Sequence, residues 1–85
     1  MKDCDKLLAK AQNSPNNLSF AAICELAECF GWKFRRQSGS HQIFEHPDLM
    51  PEQGRIQNFQ SVKGKAKPYQ VKQLLNSIKN IPNEN

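Results

Sequence analysis

The feature of this sequence that most constrains its fold is a Ser-Gly step between two short runs of strand-forming residues. Trp32–Arg36 and Gln42–Glu45 have the composition of β-strands, and Ser38-Gly39 between them is typical of a two-residue hairpin turn. The sequence therefore predicts a tight antiparallel hairpin. The rest of an 85-residue chain has to pack against it.

The position of the turn sets the register of this hairpin. With Ser38-Gly39 as the loop, Arg36 faces His41 and Phe34 faces Ile43, and residues that face each other share one side of a sheet. Trp32, Phe34 and Ile43 are then predicted to face the core, with Arg36 and His41 at the turn end of the same face. We expect Phe34→Ala to cost about 3–5 kcal/mol if Phe34 is a core residue. A slip of one residue would exchange the two faces.

The other elements follow from apolar spacing and from helix-capping residues. Apolar residues at helical intervals predict a first helix, a second helix capped by Ser19 or Asn17, and a last helix that begins at Pro68. The predicted elements are a helix over 3–12, a helix over 19–30, the hairpin, a strand over 55–59 with Ile56 close to the core, a cationic loop over 61–67, and the last helix. The order α-α-β-β-β-α predicts an α+β class.

Composition excludes several classes of protein. No apolar run approaches the ~20 residues that a membrane span needs, and the N-terminus does not have the pattern of a signal peptide. The three cysteines, Cys4, Cys24 and Cys29, are odd in number and contain no Cys-x-x-Cys pair. We therefore expect free thiols in a cytoplasmic protein, with no disulfide and no zinc site.

The positive charge of the chain is concentrated in its middle. Residues 32–72 hold eight Lys and Arg against three Asp and Glu, a net charge of +5. The net charge of the whole chain is only +4. A basic region beside a neutral one indicates a surface for a polyanion, although a solvated lysine-rich surface has the same composition. The lysines of 63–67 precede a helix N-terminus, where unpaired N–H groups and the helix dipole also favour the binding of a phosphate group.

His41 is the residue in this basic region that is best suited to chemistry. Imidazole changes protonation near neutral pH, which suits a histidine to general acid–base catalysis. Arg36 beside His41 and the main chain of the Gly39 turn are suited to binding a phosphate group. His46, which precedes Pro47, is expected to be a loop histidine without a catalytic role.

Three segments together resemble a known family. They are Leu26–Trp32, then Arg35–Pro47 with its Gly39-Ser40-His41 step, and then Lys63–Leu75. Over about residues 20–80 the chain resembles the HicA-like (YcfA-like) toxins of bacterial type II toxin–antitoxin systems, which are mRNA interferases.

The resemblance implies a three-stranded antiparallel sheet packed by helices, similar to double-stranded-RNA-binding domains. It also implies RNA cleavage that depends on His41, and a HicB-like antitoxin that covers the active surface. We expect one domain over 1–85, with its core at about 19–81 and an additional N-terminal helix over 3–13. Many members of the family carry a second histidine after the third strand, whereas Asn58–Ser61 contains none.

The candidate residues fall into two sets, with no metal and no cofactor predicted. The predicted catalytic residue is His41. The predicted RNA-binding residues are Lys33, Arg35, Arg36, Gly39, Ser40, Lys63, Lys65 and Lys67. A non-catalytic RNA-binding module would use the same basic face without needing His41, and an interaction domain would use it to meet an acidic partner.

Overall fold

The computed structural model describes residues 3–82, so residues 1–2 and 83–85 of the expected 1–85 domain lie outside the described residues. The elements follow in the order α1 (Cys4–Asn13), α2 (Phe20–Cys29), β1 (Lys33–Ser38), β2 (His41–Glu45), a 3-10 turn (Pro51–Gln53), β3 (Ile56–Val62), β4 (Lys65–Ala66) and α3 (Pro68–Ile78). The predicted α+β class is confirmed. Within residues 3–82, no helix has both the length and the apolar character needed to cross a bilayer.

Capping residues determine where the first two helices begin. The Asp3 carboxylate accepts a hydrogen bond from the Lys6 N–H at 3.1 Å, and Ser19 Oγ accepts one from the Ala22 N–H at 3.1 Å. These bonds satisfy N–H groups that have no partner inside the helix. α3 begins instead at Pro68, which has no N–H to satisfy. The predicted helix starts were correct to about one residue because these signals are local.

The sheet has four antiparallel strands in the order β1-β2-β3-β4, so the predicted three-stranded sheet is wrong by one strand. α2 and α3 pack against one face. The other face, which we call the open face, contains no buried residue of β2 or β3. The largest fully buried side chains are Trp32, Phe44, Phe59, Leu18, Ile23, Leu26, Leu49, Leu74 and Val71.

β4 forms where the sequence predicted a cationic loop over 61–67. The chain turns back after β3, and the connection between α1 and α2 then holds the new strand from its outer side. The Ala66 N–H donates to the Leu18 carbonyl at 3.0 Å, and the Phe20 N–H donates to the Gly64 carbonyl at 2.9 Å. These long-range bonds convert the expected loop into a hairpin.

The β1–β2 turn lies one residue beyond its predicted position. Ser38 pairs with His41, so the loop residues are Gly39 and Ser40 and not Ser38 and Gly39. Gly39 has a φ of 60°, the positive value that a type II′ turn requires at its first loop position. A β-bulge at Arg35 accommodates the extra residue.

This register changes which residues face the core. Phe44 is the core residue of β2, with 2% of its surface exposed, whereas Ile43 lies on the open face. Phe34, also predicted to be a core residue, is 48% exposed on the edge strand. In β3 the buried apolar residue is Phe59 and Ile56 is exposed, so the prediction for Ile56 is wrong as well. Adjacent apolar residues such as Ile43 and Phe44 leave the inward face ambiguous from the sequence.

Cys4 and Cys29 form a disulfide, so the prediction of three free thiols is wrong. α1 and α2 are antiparallel neighbours, and this packing brings the first residue of α1 within a Cα–Cα distance of 5.7 Å of the last residue of α2. The free cysteine of the described chain is Cys24. Burial, and then the charges of Glu28 and Glu25, raise the pKa of the Cys24 thiol to about 11, so the thiol stays protonated at neutral pH.

Candidate active site and nucleic-acid interface

His41 is the first residue of β2 and lies on the open face, at the turn end of the hairpin. It faces Ser38 on β1 and Gln60 on β3. The prediction that Arg36 faces His41 directly is wrong, because Arg36 pairs with Ile43. Arg36 and His41 still share the open face, since Ile43 and His41 are two residues apart on one strand. The imidazole is only partly buried and is accessible from solvent.

A single hydrogen bond orients the His41 ring. Nδ1 lies 2.8 Å from Oδ1 of Asn58, a residue of β3 that also lies on the open face. A carboxamide oxygen can only accept, so Nδ1 is the donor. Among the described residues no hydrogen bond reaches Nε2 of His41.

The turn before His41 is attached to β3. Ser40 Oγ accepts a hydrogen bond from Nε2 of Gln60 at 3.2 Å, and the Ser40 carbonyl accepts one from the Ser61 N–H at 3.4 Å. Gly39 lies at the exposed tip, and a methyl group added to its Cα would have no neighbouring atom within 4 Å. A phosphate can therefore approach the main chain of this turn without a steric clash.

Three of the predicted RNA-binding cations, Lys33, Arg35 and Arg36, lie exposed on β1. Nε of Arg35 donates to the Glu45 carboxylate at 3.1 Å, and Nε of Arg55 donates to the same group at 2.8 Å. The hydrogen bond and charge of Arg55, assisted by those of Arg35, lower the pKa of Glu45. Lys33 and Arg36 form no ion pair within residues 3–82, so their charges are available to a ligand.

The other predicted RNA-binding cations form a second group, which we call the cationic turn and define as Lys63, Lys65 and Lys67. Lys63 has a φ of 54° in the turn between β3 and β4. Lys65 pairs with Val62, which lies on the open side in the alternation of β3. Lys67 is the N-cap residue of α3, and its Nζ lies 5.9 Å from the ring centroid of Tyr69.

The cationic turn lies at the same end of the sheet as His41. Gln60 faces His41, and the turn begins three residues further along β3, which corresponds to about 10 Å at the usual strand rise. The Gln60 N–H donates to Oε1 of Gln70 in the first turn of α3, at 2.9 Å. The fold therefore brings the cationic turn to the same end of the molecule as the glycine turn and His41, although more than 20 residues separate it from them in sequence.

His46 lies outside this region and has a structural role. It is 4% exposed, and its ring packs edge-on against Trp32 with the ring centroids 4.9 Å apart. Nε2 donates to the Phe30 carbonyl at 2.9 Å, and Nδ1 accepts from the Asp48 N–H at 3.1 Å. Both ring nitrogens are satisfied inside the protein. Among residues 3–82, no three His, Cys, Asp or Glu residues are grouped closely enough to hold a metal ion.

Asn58 and Gln60 were not predicted as neighbours of His41. The only prediction that concerned Asn58–Ser61 was that this segment lacks the second histidine of many family members. The available signal was that Asn58 and Gln60 are polar and two residues apart, so that they share one face if the predicted strand over 55–59 continues by one residue. The missing information was the register, which determines the residue of β3 that reaches the ring.

The protein is thus a small α+β domain with an accessible histidine on a cationic surface. The family model described as the HicA toxin of bacterial toxin–antitoxin systems matches residues 21–79, which is well over half of the 85 residues. The chain belongs to the HicA toxin family. Comparisons with curated proteins and with solved structures found no significant match.

Family membership determines the general function. The chain is the toxin of a toxin–antitoxin pair, in a family that is generally ribonucleolytic, so its substrate class is RNA and its partner is an antitoxin. The matched residues include all of α2 except Phe20, the whole sheet and α3, whereas α1 lies outside the match. The predicted family was therefore correct.

Proposed function

We propose that this toxin is an mRNA interferase in which His41 is the general base of RNA cleavage. The observation that carries the proposal is the state of the His41 ring: Nδ1 is bonded to Asn58, while Nε2 is unbonded within the described chain and lies on an accessible face. A neutral imidazole held in this way presents a lone pair to an incoming hydroxyl group. General acid–base catalysis of this kind contributes about 10²- to 10⁴-fold to the rate.

The reaction we propose is an internal transesterification of RNA. Nε2 of His41 takes the proton of a ribose 2′-hydroxyl, the 2′-oxygen attacks the adjacent phosphorus, and the bond from phosphorus to the 5′-oxygen breaks. The departing 5′-oxygen takes a proton from solvent. The products are a fragment ending in a 2′,3′-cyclic phosphate and a fragment beginning with a 5′-hydroxyl. This route requires no metal ion.

Cations on two sides of His41 support the binding of an RNA backbone. Arg36 shares the open face with His41 and has no acidic partner among the described residues, so it can compensate charge on the phosphate. The cationic turn lies on the other side and can hold neighbouring phosphates. Gly39 leaves the main chain of the hairpin turn open to a phosphate oxygen. The expected path of the RNA is across the open face.

The same face is the expected site of a HicB-like antitoxin. A partner that covers His41 and offers carboxylates to Arg36 and the cationic turn would block the substrate and match its charge. An mRNA substrate makes the cytoplasm the expected compartment.

The test is cleavage of RNA by the purified protein in EDTA, compared with His41→Ala and with Ile56→Ala. Ile56 is exposed on the same face but outside the proposed contacts, which makes it the matched control. We expect at least a 100-fold loss in His41→Ala, RNA binding within about twofold of wild type, and a 2′,3′-cyclic phosphate on the product. Equal cleavage by His41→Ala would refute the role of the histidine. RNA binding without cleavage by the wild type would leave the non-catalytic binding module as the function.

A further inference from the structure

Asn58 occupies an unusual position for its residue type. Asparagine is disfavoured inside strands, yet Asn58 is the third residue of the seven-residue strand β3. It pairs with Ile43, which makes His41 its diagonal neighbour across the two strands. Diagonal neighbours lie about 7–8 Å apart, a gap that an amide and an imidazole can bridge. The N–O distance of 2.8 Å is slightly shorter than that of an average N–H···O bond.

We infer that Asn58 is the positioning residue that fixes the tautomer and the orientation of the His41 ring. The amide oxygen has no proton to give, so the proton of the neutral ring is held on Nδ1 and the lone pair is held on Nε2. Without this bond the ring can rotate and its proton can move to Nε2, which then offers no lone pair to a 2′-hydroxyl. This inference rests on the proposed function and adds a second residue to it.

No other described side chain is placed to do this. Ser38 and Gln60 face His41 in register, but Nε2 of Gln60 is bonded to Ser40 Oγ and no bond joins Ser38 to the ring. Asn58 is therefore the only hydrogen-bonding partner of the imidazole within residues 3–82. A structural purpose for this bond is weak, because both side chains are at the surface and exposed polar pairs add little to stability.

The choice of an amide has a chemical consequence. A carboxylate would orient the ring equally well, but it would place a negative charge beside the phosphate that has to bind here. Asparagine orients the imidazole while remaining neutral, so the attraction of Arg36 and the cationic turn for RNA is not reduced. We therefore expect the aspartate variant to keep the orientation of the ring and to lose affinity for RNA.

The experiment follows the His41 ring by ¹⁵N NMR, at a pH where it is neutral, in the wild type and in Asn58→Ala, Asn58→Asp and Ile56→Ala. We expect the proton on Nδ1 in the wild type, in Asn58→Asp and in Ile56→Ala, and predominantly on Nε2 in Asn58→Ala. In cleavage assays we expect kcat to fall about 10- to 100-fold in Asn58→Ala with little change in KM. Asn58→Asp should recover most of kcat but raise KM.

The two readouts separate this inference from the proposed function. A ring proton on Nε2 in the wild type, or an unchanged tautomer in Asn58→Ala, overturns the inference whatever the activity. An altered tautomer with an unchanged kcat also overturns the positioning role. Full activity of His41→Ala would remove the proposed function, while the NMR result would still decide whether Asn58 holds the ring.

Discussion

The register set by the β-bulge at Arg35 predicts different stability costs for truncating Phe34 and Phe44. Phe44 is 2% exposed and packs against the rings of Phe59 and Phe34, at centroid distances of 5.5 and 5.7 Å. Removal of a fully buried Phe side chain costs about 3–5 kcal/mol, because transfer energy is lost and a cavity remains. Phe34 is 48% exposed on the edge strand, where solvent can fill the space that it leaves. Full burial of a Phe side chain contributes ~1.5–3 kcal/mol, and Phe34 is about half buried, so Phe34→Ala should lose roughly 1 kcal/mol of unfolding free energy.

Urea denaturation of the wild type, Phe34→Ala, Phe44→Ala and the double variant measures these costs. We expect about 3–5 kcal/mol for Phe44→Ala, about 1 kcal/mol for Phe34→Ala, and an interaction between them of about 0.5–1.5 kcal/mol from the paired rings. The m-value should be unchanged, which would show that the denatured state is not altered. A cost for Phe34→Ala that equals or exceeds that for Phe44→Ala would refute the bulged register and restore the register in which Arg36 faces His41.

Two further predictions concern the covalent and ionic links of the fold. The Cys4–Cys29 disulfide joins residues 25 apart in sequence, for which loop-closure entropy gives about 3.5 kcal/mol of stabilisation. Dithiothreitol should therefore lower the Tm of the wild type by roughly 15–20 °C, on the usual unfolding entropy per residue, and leave a variant with both cysteines changed to serine unaffected. A wild-type shift below about 3 °C would contradict this. The pKa of Glu45 is held below its ordinary value of 4.5, so the ionised carboxylate stabilises the fold above that pH, and this contribution is lost as the pH falls through the lowered pKa. The Tm of the wild type should exceed that of Glu45→Gln at pH 7, and the gap should close in acid. A gap that is independent of pH would show that the ion pairs with Arg35 and Arg55 are not its source.

Features that depend on neighbouring residues could be predicted from the sequence. The starts of the helices follow from Asp3, Ser19 and Pro68, whose effects act within one turn of a helix. The family followed from short local segments as well. The existence of the β1–β2 hairpin was also predictable, because a glycine turn between two strand-like runs has few alternatives.

Features that depend on register or on packing between elements could not be predicted in the same way. Ile43 and Phe44 are both apolar, so periodicity cannot decide which one faces the helices, and the bulge at Arg35 has no sequence signal of its own. Cys4 and Cys29 meet only because α1 and α2 pack antiparallel. β4 exists because the connection between α1 and α2 supplies hydrogen-bonding partners from far away in the sequence.

The same limits apply to the candidate site. His41 was singled out from its basic surroundings and from the family resemblance, and its catalytic role stays a prediction. Asn58 could not be connected with His41 without the pairing of β2 with β3. Arg36 was expected opposite His41 and lies opposite Ile43 instead, so the arrangement of the cations around the ring required the structure.

The exposed edge of the sheet has a consequence for the solubility of the protein. β1 ends the sheet, and all six of its residues are exposed, so one side of its main chain offers unpaired N–H and C=O groups to any passing strand. Two features oppose aggregation at this edge. The β-bulge at Arg35 bends the strand, and Lys33 and Arg36 of one copy repel those of another copy. An RNA or an acidic protein that neutralises these cations removes the electrostatic barrier. The β-bulge at Arg35 is then the feature of β1 that still opposes pairing with another strand, because its effect does not depend on charge.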